Sequence, residues 1–173
     1  MCIRDRKKTT VYAFVRDPKL YPLAQYLDYA DLALSRNKKN LKKLAKGLAD
    51  EDPVKRYWSV IGLLLLEKQA KPAIPELKKV LRDRDEIPAF AAWAIYKAGE
   101  EKFAEKWMLE AITQNPGNKT LANIFDWMGT ASHSLLAKIP SDKLPQKGLL
   151  KDVIKRSGAV SYTHLTLPTI YSV

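Results

Sequence analysis

The chain has 173 residues, a formal net charge of +11 and one cysteine, Cys2. That length suits one domain with a sizeable core. A single cysteine excludes a disulfide within the chain, and the longest apolar run, Val60 to Leu66, falls far short of the roughly 20 residues that a membrane helix needs. The cationic excess admits nucleic acid or another anionic surface as a partner. Lysine also serves solubility and helix propensity, and a lysine-coated helical surface is the preferred reading.

The two ends are set apart from the rest. Met1-Cys2-Ile3-Arg4-Asp5-Arg6 back-translates to ATG TGT ATA AGA GAC AG, and Val160 to Thr169 back-translates to GTC TCT TAT ACA CAT CTG ACG CTG CCG ACG, the same element from the opposite strand. Both resemble the end sequence that a tagmentation transposon ligates onto library DNA. Residues 1–6 and 160–173 are therefore excluded from fold reasoning. The expectation is an insert from Lys7 to about Ala159, open at both ends, whose added tails pack on nothing. Removing Arg4, Asp5 and Arg6 takes away one net positive charge and leaves +10 on the insert. Cys2 and His164 go with the tails, so no Cys-containing metal site is expected and His133 stands alone.

Apolar residues recur at helical spacing almost throughout, with Gly and Pro between the periodic segments, which predicts an all-α chain. Residues 7–37 read as a linker and lead-in helix. Val11, Phe14 and Val15 suggest a short first helix ended by Asp17-Pro18, with a strand as the alternative. Tyr21 to Arg36 reads as a full helix with Leu23, Leu27, Ala30 and Leu34 on one face.

Residues 38–159 repeat. Leu41, Leu44, Leu48 and Asp50 match Ile74, Leu77, Leu81 and Asp83 at a spacing of 33, and Gly62, Leu63, Leu66 and Glu67 match Ala94, Ile95, Ala98 and Gly99 at 32. A third unit pairs Leu77 with Trp107, Leu81 with Ala111, Ala91 with Leu121, Ile95 with Phe125 and Gly99 with Gly129 at 30. One hairpin cannot cover its own apolar faces, so this period in a helical chain predicts an α-solenoid of antiparallel hairpins. Leu44, Leu48, Leu63, Leu66, Leu77, Leu81, Ile95 and Ala98 are the expected core. Asp52-Pro53 reads as an N-cap followed by proline at the first helical position. Pro72 and Pro75 fit a first turn. Gly99 and Gly129 fit helix C-termini, and Asn115-Pro116-Gly117-Asn118 fits a turn. Ala131 to Lys138 and Pro145 to Arg156 form a degenerate fourth hairpin.

A helical pair opened by Asp50-Glu51-Asp52-Pro53-Val54-Lys55-Arg56-Tyr57-Trp58 resembles the HEAT repeat. In the second unit Pro88 stands where the first has Arg56, so that helix is expected to begin late. Thr9-Thr10-Val11-Tyr12, Arg16-Asp17-Pro18-Lys19-Leu20-Tyr21-Pro22-Leu23, Ala30-Asp31-Leu32-Ala33 and Ile61-Gly62-Leu63-Leu64, taken with the Arg56-Tyr57-Trp58 helix, resemble the C-terminal extension of some bacterial sulfatases. The likeness covers roughly Thr9 to Glu100. It implies an upstream α/β catalytic domain as partner, holding calcium and a formylglycine matured from a C/S-x-P-x-R motif, and a periplasmic or extracellular location. No stretch of this chain matches that motif, so no catalytic, cofactor-binding or metal-binding residue is expected within it.

Arg36, Lys39, Lys43 and Lys46 fall at helical spacing and, with Arg56, form the candidate interaction surface. A phosphate backbone needs such a row, but no aromatic interleaves with it, so a solvated helix face is preferred. Asp50, Glu51 and Asp52, like Asp83, Asp85 and Glu86, offer oxygen ligands, yet both clusters precede helices, where capping accounts for them. Trp58, Trp93, Trp107 and Trp127, with Tyr57 and Phe90, are read as packing residues, and His133 as a surface or cap residue. The expected function is a non-catalytic HEAT-like scaffold or interaction module of a larger sulfatase, with a further protein or a polyanionic substrate as candidate partners. The alternatives are a free-standing basic HEAT-type nucleic-acid binder, similar to alkylpurine DNA glycosylases, and a HEAT-type protein-binding module.

Overall fold

A computed structural model describes residues 26–83, 86–143 and 148–157. Among the described residues the chain is helical and has no strand. The helices are α1 (Leu27–Leu34), α2 (Leu41–Gly47), α3 (Pro53–Leu66), α4 (Ile74–Val80), α5 (Ile87–Lys97), α6 (Glu101–Gln114), α7 (Lys119–Met128), α8 (His133–Leu136) and α9 (Leu149–Ser157). Turns of 3-10 helix precede α2 (Lys38–Asn40), α4 (Glu67–Ala73) and α8 (Gly129–Ser132). The expectations for Val11, Phe14, Val15, Leu23, Asp85 and both adapter-like tails lie outside the described residues. The chain forms two compact units, Met1–Gly99 and Glu100–Val173.

In the first unit α3 is the central element. It begins where Asp52, in extended backbone, accepts the Val54 N–H at 2.9 Å, and Pro53 occupies the first turn, where its missing donor costs nothing. α3 packs on α1, α2 and α5, while α4 packs on α5 and the Glu67–Ala73 turn lies against α2, α3, α4 and α5. The expected core residues Leu44, Leu48, Leu63, Leu66, Leu77, Ile95 and Ala98 are buried. Each large aliphatic side chain so covered contributes about 1.5–3 kcal/mol. Small residues set the approach of the helices. A Cβ on Gly62 would lie 2.6 Å from Leu44 Cδ2 and 3.0 Å from Ala33 Cα. Gly47 is packed against Ser59, whose buried hydroxyl has no hydrogen-bond partner.

Three expectations for this unit are corrected. Leu81 is only half-buried, because the buried series on α4 runs Ile74, Leu77, Val80 and leaves Leu81 at the helix C-cap. α1 buries Ala33 against Gly62, which leaves Leu34 57% exposed. The helix also stops at Leu34 instead of running to Arg36. The late helix start expected near Pro88 is found: α5 begins at Ile87 with Pro88 in its first turn.

In the second unit α7 packs most closely on α9. α7 is capped by Asn118, whose Oδ1 accepts the Leu121 N–H at 2.9 Å. The turn before it closes through Asn118 N–H to the Asn115 carbonyl at 3.0 Å. α6 buries Ala104, Met108 and Ile112, so the half-buried Trp107 and Ala111 stand one position off the core register expected for them. Trp127, expected in packing, is 58% exposed. Leu121, Ala122, Ile124 and Phe125 cover one side of α7, and at 100° per residue Trp127 falls on the other. The helix expected over Ala131 to Lys138 is reduced to α8, His133–Leu136.

The residues that follow α3, α5 and α7 share a positive φ. Glu67, Gly99 and Gly129, aligned by the sequence repeat, have φ of 49°, 105° and 57°. Glu67 and Gly129 also share ψ, −126° and −130°, and each leads into a 3-10 turn and the next helix. Glycine adopts this region freely, whereas a side chain there is strained. Glu67→Gly is therefore expected to raise stability by about 1 kcal/mol, because the lost ion pair to Lys97 is between exposed groups and contributes little. Gly62→Ala is expected to lower it by about 1–3 kcal/mol through overpacking at Leu44 and Ala33. Denaturant midpoints check both, and an unchanged midpoint for Gly62→Ala refutes the tight crossing.

Candidate functional site

The lysine segment is built by a break in the chain. Ser35 Oγ donates to the Leu32 carbonyl at 2.8 Å, and the Asn40 side-chain amide donates to the same carbonyl at 3.3 Å and to Ser35 Oγ at 2.8 Å. Arg36 takes φ of 50°, and Asn37 Oδ1 accepts the Lys39 N–H at 3.0 Å to start the next turn. The expected single stripe is thus corrected. Arg36 lies in the left-handed reversal, Lys39 in the 3-10 turn, and only Lys43 and Lys46 in α2.

All four cations are exposed, as are Lys38 and Lys42. No carboxylate stands between Asp31 and Asp50 in the chain, and among the described residues none of these six cations has an ion-pair partner. The Glu67–Ala73 turn against α2 adds exposed Lys68 and Lys71. These two were not read as part of the surface, although Lys71 repeats Lys38 at the spacing of 33 already noted. Like charges so placed repel one another, so the field does not stabilise the fold.

Arg56 behaves differently and is not part of that field. Its Nη1 donates to the carbonyls of Asp50 and Glu51, both at 3.1 Å, and its Nε faces Asp83 Oδ2 at 3.4 Å. Arg56 therefore ties the Asp50–Glu51 turn before α3 to the Asp83 carboxylate that follows α4. An open cleft of about 370 Å³ lies beside it, lined by Leu48, Asp50, Arg56, Glu76, Lys79 and Asp83. A second groove, of about 640 Å³, is lined by Tyr29, Lys43, Lys46, Asp50 and Glu51.

The acidic clusters divide their roles. Asp52 caps α3, and Asp50 Oδ1 accepts the Asp52 N–H at 3.0 Å. Capping was expected of the second cluster as well. There Glu86 makes no side-chain cap bond, and Asp83 is turned to Arg56 instead. Among the described residues no three metal-capable side chains converge. His133 opens α8, half-buried, at the edge of a small pocket where Asp126 is held by Arg156 at 2.7 Å. The aromatic residues Tyr57 and Phe90 meet edge to face, with ring centroids 5.5 Å apart, and join α3 to α5.

Partial burial pushes the Asp52 carboxyl up, but the Val54 N–H, the Tyr26 hydroxyl, the Lys55 N–H and the Lys55 ammonium outweigh it and hold the group below its ordinary value of 3.8. The folded chain thus keeps this carboxylate ionised at a lower pH than the unfolded chain does. The cap's contribution is complete above about 3.8 and is lost as pH falls through the lower folded value. Asp52→Asn, which keeps a capping oxygen but cannot titrate, is expected to flatten the acid limb of the stability curve below pH 4, measured by thermal melts. Arg56→Lys is expected to cost about 1–2 kcal/mol, since an ammonium cannot reach two carbonyls and Asp83 together. An unaltered melt would sink the cross-tie.

Comparison of the chain with protein-family models, with curated proteins and with solved structures finds no match in any of the three.

Proposed function

We propose that this chain is a non-catalytic scaffold or interaction module, an α-solenoid of HEAT-like hairpins belonging to a larger sulfatase. The observation that carries the scaffold reading is Arg56, which binds the turn of its own hairpin and the Asp83 of the next. A side chain that joins consecutive hairpins at matching positions serves stacking rather than chemistry. The shared positive φ at Glu67, Gly99 and Gly129 supports the same reading, because a repeated connection needs a repeated backbone turn.

The parent enzyme is inferred from the resemblance between Thr9 and Glu100 alone. In that reading the upstream α/β domain supplies the formylglycine and the calcium, and these helices pack on it or present a surface to a partner. A free-standing nucleic-acid binder is the second reading, favoured by the unpaired lysines around α2.

The two are separated by recovering the DNA upstream of the Lys7 codon. A C/S-x-P-x-R motif in the same reading frame is the expected result. The chain alone, supplied with calcium and a formylglycine-generating enzyme, is expected to hydrolyse no aryl sulfate. Turnover by this chain, or an upstream frame without the motif, overturns the sulfatase assignment.

A further inference from the structure

We infer that the groove along α2 binds an anionic polysaccharide, through Lys43 and Lys46 on its charged groups and through Glu51 on its hydroxyls. The inference rests on the interaction-module reading and not on the identity of the parent enzyme. Lys42 and Lys46, four residues apart, stand about 6 Å from each other along the helix, and Lys43 lies on the same helix. The cations are exposed and unpaired among the described residues, so a polyanion gains their attraction without first breaking an ion pair.

The groove is mixed, and that selects among polyanions. Lys43 and Lys46 line it together with Asp50, Glu51 and Tyr29. Asp50 is partly occupied, by the Asp52 N–H and by Lys55 at 3.7 Å, whereas the Glu51 carboxylate is exposed and has no ion pair. A DNA backbone is anionic throughout, carries no hydroxyl to donate, and is repelled by these carboxylates. A polymer that alternates sulfate or carboxylate groups with free hydroxyls satisfies both kinds of lining side chain, since an ionised carboxylate is an acceptor only. A bilayer is disfavoured because none of the exposed large apolar side chains lies on α2 or on the Glu67–Ala73 turn.

The test is fluorescence anisotropy on the full chain, with a labelled short heparin oligosaccharide, its fully desulfated counterpart and a DNA duplex of equal charge, at low and physiological salt. The sulfated oligosaccharide is expected to bind most tightly. Lys43→Glu with Lys46→Glu is expected to weaken it at least about tenfold, and a control pair in the other unit, Lys102→Glu with Lys106→Glu, much less. Glu51→Ala is the decisive variant. Loss of the hydroxyl acceptor should weaken the sugar roughly threefold while tightening DNA, whereas a surface that senses charge alone must bind both more tightly. Circular dichroism confirms that each variant is folded. Equal or tighter binding of DNA, tighter sugar binding by Glu51→Ala, equal losses in the control pair, or no binding of the sulfated probe at low salt each overturns the inference. None of these outcomes bears on the upstream motif, so the sulfatase assignment stands or falls separately.

Discussion

Helix α3 must be covered on several sides at once, and much of the first unit follows from that demand. Its neighbours α1, α2 and α5 are short, and isolated helices of 8, 7 and 11 residues are marginal in water. They persist because each buries apolar side chains against α3, and close approach increases what that burial is worth. Gly62 and Gly47 lie where α3 crosses α1 and α2 and where larger side chains would separate the pairs. Alanines on α5 do the same on the third side, where Ala91, Ala92 and Ala94 are fully buried.

Burial of that kind leaves little freedom for where α3 starts and stops. At its start Asp52 and Pro53 are both suited to their positions, one as acceptor and one as a residue that lacks a donor. At its end the chain must leave in a direction that only a positive φ provides, and Glu67 is held there despite its side chain. The strain is tolerated because Leu63, Leu64 and Leu66 just before it, and Ala70 and Ala73 just after it, are buried. Local conformation yields to packing, as is usual where several buried contacts oppose one disfavoured dihedral.

Most core positions supported by the repeat spacing were legible in the sequence, and the local breaks were not. The buried positions Leu44, Leu63, Leu66, Leu77 and Ile95 recur at the repeat spacing, so each was supported by its counterpart. Leu81 matches the buried Leu48 at the repeat spacing, yet the structure buries Val80 beside it, and it likewise buries Ala33 instead of Leu34 and Phe125 instead of Trp127. The break at Arg36 was missed as well. A basic residue between Ser35 and Asn37 continues a helical charge pattern, but those two polar side chains bond locally and compete with the helix.

Charge shows the same limit from another side. Arg56 and the lysines of α2 were grouped because they share a sign, and geometry separates them. A guanidinium with several fixed donors can satisfy two carbonyls and a carboxylate from a half-buried position. An ammonium on a flexible stem stays hydrated unless an anion is brought to it. Arg56, one of the five cations of the expected interaction surface, is therefore consumed by the fold. Those least tied to the fold, Lys43 and Lys46 beside the Glu51 carboxylate, remain available to a partner, and the mixture of signs along that groove makes selectivity among polyanions physically attainable.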